Sequence, residues 1–482
     1  MAPGLTWAND GADGGDLITA AATGGIAHPT GYPVFILLAR LFQFLPIGSL
    51  AFRTNLMSAL AAGIAALTIY KIVINSLSSL PSPIEWLAGL SAGFAFGLAP
   101  LIWSQAVITE VYTLHVMFVG LLLYLSVIVP SSQNDQKWKY LLIGIIFGLA
   151  MGNHITAIFI LPVILSTTIK FKPNMGSKEN WKNHFYLDGK ALFRQLIGIG
   201  LGLLVYITLP MRANTHPPVN WGNPVTIAGF VWLVSGKLYQ GLLLDLNLSS
   251  ILQRAQTAIV LLLEQFGFIG LFIGLTGLIL FFKPNKLNFI MLWIVIISFA
   301  FAIGYGTTDA FLYLIPAFLC FAVWIGIGLG SLMASLLKRS NIIGYLLGVI
   351  IAVTFFIQGS TAWPHVDASH DQRAETFGKS VLSIAPADAI VFAKGDEAVF
   401  TLWYFQYALR ERTDLAIIST DLLQFNWYMQ TLRTTYPGLN LPGSFLFKET
   451  VIAANPMRPV CNVQYNQVAE INCLPATESP LP

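Results

Sequence analysis

The chain has 482 residues, of which 55% are hydrophobic and 10% charged, and its mean hydropathy is +0.69. That balance excludes an ordinary soluble globular protein and points to a polytopic membrane protein. The formal net charge of +3 accompanies no P-loop, dinucleotide fingerprint or zinc-spaced His/Cys cluster, so the excess reads as loop charge and no nucleic acid is expected as a partner.

The opening stretch NDGADGGDLITAAATGGIAHPTGYP, residues 9–33, sets Asp10, Asp13 and Asp16 in a glycine-rich segment, although only eleven acidic residues precede position 361. Three aspartates at a spacing of three would suit oxygen ligation of a divalent cation, while the glycines equally allow a close backbone turn. Apolar runs able to cross ~30 Å of hydrocarbon follow near 54–75, 84–103, 107–129, 140–152, 155–169, 192–210, 257–282, 287–305, 309–336 and 341–359. That makes about ten transmembrane helices. The runs 140–152 and 155–169 are short for a crossing and equally fit a re-entrant hairpin, which returns the chain to the same side.

Lysine and arginine set the orientation, because they are retained on the cytoplasmic side. Lys71, Lys137, Lys139, Lys170, Lys172, Lys178, Lys182, Lys190, Arg194, Lys283, Lys286, Lys338 and Arg339 fall on one side. Arg40, Arg53, Arg212, Lys237 and Arg254 fall on the other. Residues 1–53, the 211–256 loop and everything after 360 are therefore predicted to be extracytoplasmic, in a plasma membrane if prokaryotic or the endoplasmic reticulum if eukaryotic. With no charged region and apolar segment before Asp10 to carry the N-terminus across, a preceding transmembrane helix is expected upstream of Met1.

Polar residues near the bilayer gather on the predicted outer side. WSQAVITEVYTLH places Glu110, Tyr112 and His115 in the first turns of a helix, where an ionisable group is a functional candidate; Glu110 could also be a structural pair, and Tyr112 an interfacial anchor. GNHIT, with Asn153 and His154, forms a tight turn whose histidine fits a hydrogen-bonded turn residue or a site residue. LPMRANTHPPVNWGNP rules out a long helix through 211–224, and TIAGFVWLVSG then reads as a short interfacial helix. Arg212 sits where a guanidinium could grip a lipid phosphate or merely anchor a helix end.

Composition changes after Gly359: residues 361–482 hold twelve acidic and eight basic side chains. The pattern predicts a strand over 389–393, a helix over 397–409, a strand over 414–420 and a helix over 422–433, a small α/β unit. Trp403, Tyr404 and Trp427 suit a face that helps recognise an acceptor substrate or, for most of them, the core of the unit. Cys461 and Cys473 would pair in an oxidising compartment or remain free thiols, and Cys320 suits packing inside a span. The domains are then 1–53, an outer loop with interfacial helices; 54–359, the transmembrane domain; and 360–482, the soluble unit. An outer face with an acidic loop, an embedded carboxylate, a histidine and an arginine suits glycosyl transfer from a polyprenyl-phosphate donor. A secondary transporter would show repeated halves, and a non-enzymatic scaffold for cell-surface assembly would not need the loop aspartates.

The stretch from DGADGGDLITAAATGGIAHPTGYP through RTNLMSAL resembles the opening signature of the membrane glycosyltransferase family that includes the transmembrane O-mannosyltransferase of animals. WSQAVITEVYTL, GNHIT, NWGNP and GDEAVFTLWYFQYALRERTDLAII resemble further blocks of that family. Asp13 falls on the acidic position of the family's loop, Asp16 replaces its usual Glu, and Thr30 replaces a proline of its His-Pro-Pro-Gly run. The resemblance implies a C-type glycosyltransferase fold, an all-α multi-pass domain with a soluble α/β unit, and an inverting O-mannosyltransferase-like activity. It implies that Asp13 is the catalytic base, with Asp16, His28, Glu110, Tyr112, His154, Arg212, Asn220 and Trp221 binding substrate. The implied partners are a polyprenyl-phosphate-linked sugar, expected to be mannose, a protein or glycan acceptor hydroxyl, and the lipid bilayer.

Overall fold

A computed structural model describes residues 1–128, 137–171, 185–243, 248–280, 286–443 and 447–476. Among them, six helices are long and apolar enough to cross a bilayer: Leu50–Ser76, Gly189–Ala213, Ser249–Leu280, Lys286–Gly304, Ala310–Leu337 and Ile342–Val366. At 1.5 Å per residue, the 27 residues of Leu50–Ser76 extend ~40 Å. Its start is fixed by Ser49, whose hydroxyl accepts the Phe52 N–H at 3.0 Å, as an N-cap does. The run expected at 84–103 is a pair of helices, Ser82–Gly97 and Pro100–Ala106, bent by 67°; Pro100 cannot continue the first helix but opens the second. The remaining runs form the shorter helices Val111–Ile128, Lys137–Asn153 and Leu161–Thr168, the last entered through a 3₁₀ turn at Ile155–Ile160. Of the basic residues that orient the chain, Lys172, Lys178, Lys182 and Lys283 lie outside the described residues.

The Ala310–Leu337 helix is apolar on every side, as a central helix must be, and its most apolar window is 89% buried while those of the other five are at most half buried. Lys137–Asn153 and Gly189–Leu203 approach more closely than ordinary side chains permit. A Cβ on Gly144 would lie 2.2 Å from the Gln195 carbonyl oxygen, and one on Gly198 2.2 Å from that of Leu141. This is backbone-to-backbone packing through small residues, the usual device where no hydrophobic force drives helices together.

Strands β1 (Ile169–Phe171) and β2 (Phe185–Leu187) form a short antiparallel pair. The tail carries β3 (Ile390–Lys394), β4 (Ala416–Ser419), β5 (Val460–Asn466) and β6 (Val468–Leu474) in the order β4-β3-β5-β6. β3 pairs in parallel with β4 and β5, and β6 folds back antiparallel on β5. The expected strand–helix–strand–helix order is present, with helices Asp396–Trp403 and Asn426–Thr435; the Arg373–Ile384 helix, β5 and β6 are additional. Cys461 and Cys473 face each other across β5 and β6 and are disulfide-bonded. Trp403 and Tyr404 are buried, Trp427 partly so.

The N-terminal segment lies between the helical bundle and this tail. Asp371 accepts from the Thr6 hydroxyl at 2.7 Å and the Trp7 N–H at 2.9 Å, while Arg373 Nε holds its other oxygen at 2.7 Å. Trp7 also donates to Thr401 and packs at a tilt against Phe377 and Tyr465. Asn9 Nδ2 donates to the Val366 carbonyl at the end of the last long helix. The first acidic loop is thereby pinned to both neighbours.

Candidate active site

The helix Gly14–Thr23 sets Asp13 at its N-cap and Asp16 in its first turn, three residues apart and so on one face. Both carboxylates sit where the helix dipole favours negative charge. Gly15 is required between them: a Cβ there would stand 2.6 Å from the backbone of Phe400, on the tail helix packed against this turn. Gly24 ends the helix in a left-handed conformation, φ 70°. The next residues pair with the middle loop, Ile26 N–H donating to Val219 O at 2.8 Å and Trp221 N–H to Ile26 O at 3.3 Å.

That pairing delivers Trp221 and His28 to Asp16. Trp221 Nε1 donates to Asp16 Oδ1 at 3.0 Å, and the His28 main-chain N–H donates to Oδ2 at 2.9 Å. His28 Nδ1 reaches the same Oδ2 at 2.8 Å, and its Nε2 lies 3.4 Å from Asp13 Oδ2. Asp16 is sealed, whereas 41% of the Asp13 side chain stays open. Burial alone would depress the His28 pKa, but Asp13 and the hydrogen bond to Asp16 overcome it and push it up to about 9. Asp13 itself is raised above 3.8, first by the protein crowded around it and against the pull of His28, then by the charges of Asp16, Asp309 and Glu397. The result is a solvent-reachable carboxylate held beside an imidazolium whose far side is locked.

From His28 a line of rings leads inward. Tyr32 is 5.0 Å from His28 and 6.0 Å from His154, and His154 is 5.9 Å from Tyr112 and 5.4 Å from His115. His154 Nδ1 is 2.8 Å from Thr156 Oγ1 and accepts the Thr156 N–H, so it caps the 3₁₀ turn that follows. Glu110 is buried, bonded only weakly to the Val111 N–H at 3.4 Å, and lies within electrostatic reach of Asp13 and His28. Tyr112 donates to Asp309 at 3.3 Å.

Arg212 touches the loop at its back: Nη1 donates to Gly25 O at 2.7 Å, Nε to Thr208 O at 3.3 Å, and Nη2 is buried without a partner. Arg40 reaches the same turn beside Gly24. Asn220 donates to Asn223 Oδ1, while its own Oδ1 is buried and unpartnered. Asp10 stands apart, exposed in a turn with φ 62°. Among the described residues no group of three His, Cys, Asp or Glu side chains is placed to hold a metal ion.

Three acids at the site escaped the sequence reading: Asp309, Asp396 and its neighbour Glu397. Asp309 stands at the head of the 309–336 apolar run, where the rule that singled out Glu110 applies equally. Asp396 opens the helix that follows β3, at the carboxyl end of a parallel strand, where α/β folds place ligands. It keeps contact with solvent, yet the protein around it and then the Asp13 charge raise its pKa to about 6.

The family described as protein O-mannosyl-transferase TMEM260 N-terminal domain matches residues 13–175, beginning at Asp13 itself, and TMEM260-associated domain 2 matches residues 374–470. The chain is 25% identical over 460 residues to the protein O-mannosyl-transferase TMEM260 of Mus musculus, covering 90% of this chain and 62% of that protein. Its match to the protein of the same name in Dictyostelium discoideum is 26% identical over 484 residues, covering 90% and 57%. The chain thus spans about three fifths of the length of these relatives. Among solved structures, ArnT from Cupriavidus metallidurans bound to undecaprenyl phosphate is similar in fold, with a TM-score of 0.57 and 11% identity over 95% of this chain and 88% of that one.

Proposed function

Because the chain belongs to the C-type membrane glycosyltransferase family that includes the protein O-mannosyl-transferase TMEM260, we propose that it moves mannose from a polyprenyl-phosphate donor to a protein hydroxyl on the extracytoplasmic face. The observation that carries this reading is the contrast between an open Asp13 and a sealed Asp16, joined by His28. Asp13 takes the proton of the acceptor hydroxyl as its oxygen bonds to the anomeric carbon. The bond from that carbon to the phosphate oxygen breaks with inversion, and the lipid phosphate leaves with the electron pair. His28 keeps Asp13 ionised against its crowded surroundings, and Asp16 with Trp221 keeps His28 in place. Glu110, Tyr112 and His154 line the side on which sugar or acceptor is oriented, with Asn220 beside Trp221.

Arg212 is assigned to the departing phosphate, supported by its unpartnered Nη2, since a buried donor left alone costs about 1–3 kcal/mol. The placement on the extracytoplasmic face rests on the lysine and arginine distribution and agrees with a disulfide in the tail. The multi-pass fold, the ArnT likeness and the family names support the class of reaction.

The test is transfer of radiolabelled mannose from synthetic polyprenyl-phosphate-mannose in membranes containing the chain, beside an Asp13→Asn variant. Label should enter protein with the unmutated chain and fall by about 10² or more in the variant. Full activity in the variant would remove Asp13 as the base. Absence of transfer from every lipid-linked sugar tried would remove the reading.

A further inference from the structure

Tyr465 of β5 packs against Trp7 on one face of the tail's sheet, so its neighbour Gln464 and, two residues back, Asn462 point to the other face. That second face holds a cleft of about 470 Å³ that takes no part in the chemistry above. Strand register builds its floor in two rows. Phe392 of β3 stands opposite Asn462, and Asn462 opposite Asn472 of β6; Lys394 stands opposite Gln464, and Gln464 opposite Glu470. Thr420 and Lys448 complete the walls, with Lys448 Nζ 5.5 Å above the Phe392 ring.

The chemistry of this cleft is unbalanced in a specific way. Glu470 is held by Gln464 and Asn466 through hydrogen bonds. Among the described residues, neither Lys394 nor Lys448 pairs with a carboxylate. Asn462 Oδ1 is buried with no donor. A ligand that satisfies the site brings an anion for two ammonium groups and an N–H or O–H for Asn462. The volume lies within the ~300–1,000 Å³ of ordinary ligand sites. The two rows are two residues apart along their strands, ~6.8 Å, which is the spacing of side chains on one face of an extended peptide. The cleft also lies near the candidate site, because Lys394 precedes by two residues the Asp396–Trp403 helix, whose Phe400 backbone rests on the turn that carries Asp13.

We propose that this cleft is an acceptor-recognition subsite that holds an acidic side chain of an extended polypeptide between Lys394 and Lys448 while Asn462 accepts a main-chain N–H of the same segment. The proposal rests on the glycosyl-transfer reading for its biological sense, but its test is a binding measurement. The full chain in lipid nanodiscs is titrated against a fluorescent peptide carrying threonine with aspartates at alternate positions, and against the same peptide with asparagines. The aspartate peptide should bind at least tenfold more tightly, and the Lys394→Gln/Lys448→Gln double variant should erase that difference. Lys394→Arg/Lys448→Arg should restore it, which separates loss of charge from misfolding.

Equal affinity for the two peptides, or unchanged discrimination in the double variant, overturns the proposal. Displacement by a sulfated oligosaccharide at lower concentration than by unlabelled peptide overturns the choice of polypeptide. Discriminating binding without transfer from any donor retains the cleft and removes the glycosyl-transfer reading. Transfer with equal KM for both peptides does the reverse.

Discussion

His28 stands between an open carboxylate and a sealed one, and the pH behaviour of the site follows from that position. In its proposed role as base Asp13 must be ionised, and its pKa is raised above 3.8, so turnover should rise with pH along a limb displaced upward from the usual aspartate range. His28 must be protonated to support it, and its pKa is about 9, so turnover should fall through that value. A profile of kcat/KM against pH checks both limbs, and His28→Gln should abolish the upper one. Stability follows the same group: a pKa raised from 6.5 to about 9 contributes stabilisation fully present below 6.5 and lost as pH rises through about 9. The melting temperature of the unmutated chain should therefore drop across that window while that of His28→Gln does not. By spacing alone Asp13 and Asp16 look like equals, and only the family resemblance separates them, because spacing does not reveal which one a tryptophan from residue 221 will cover. Asp309 itself could be singled out as Glu110 is, but its pairing is not legible, since its partner Tyr112 lies 197 positions away.

Among the elements, the helices were the most legible and the edge of the tail sheet the least. Of the ten expected spans, six are helices long and apolar enough to cross and a seventh is the bent pair, broken at Leu98 and Ala99 where Pro100 interrupts a continuous apolar run, while the other three runs form shorter helices. β3 and β4 read as strands because AIVFA and LAIIS are nearly unbroken apolar segments buried on both faces. β5 and β6, VCNVQYN and VAEINCL, instead alternate apolar and polar residues, as strands with one open face do, a weaker signal than the unbroken apolar runs of β3 and β4 because every second position is polar. Glycine spacing in Lys137–Asn153 and Gly189–Leu203 was also legible in retrospect as a packing seam. Gly198→Val should destabilise the protein by about 1–3 kcal/mol through overpacking, read as a lower melting temperature in detergent, whereas Gly200→Val, which meets nothing within 4 Å, should not.

Over the whole molecule, the acidic loop is a shared part of membrane bundle and tail rather than an appendage of either. Asp371 is the main polar fastening. Burial would raise its pKa, but hydrogen bonds from Arg373 and Thr6 hold it at about 2, so this fastening is present above 3.8 and lost as pH falls through about 2. Asp371→Ala leaves the Thr6 hydroxyl and Trp7 N–H without their acceptor, at a cost of about 1–3 kcal/mol. Limited proteolysis should then cut the N-terminal segment faster, with the membrane helices untouched.

The contact at Gly15 has a mechanical meaning. With the tail's backbone at Phe400 resting directly on the turn that carries Asp13, no side chain lies between them to yield. The joint has almost no compliance. Any load placed on the tail, including that of an acceptor held in the proposed subsite, therefore arrives at Asp13, two residues away, with little damping, and a tail lifted off its seat takes the alignment of the candidate site with it.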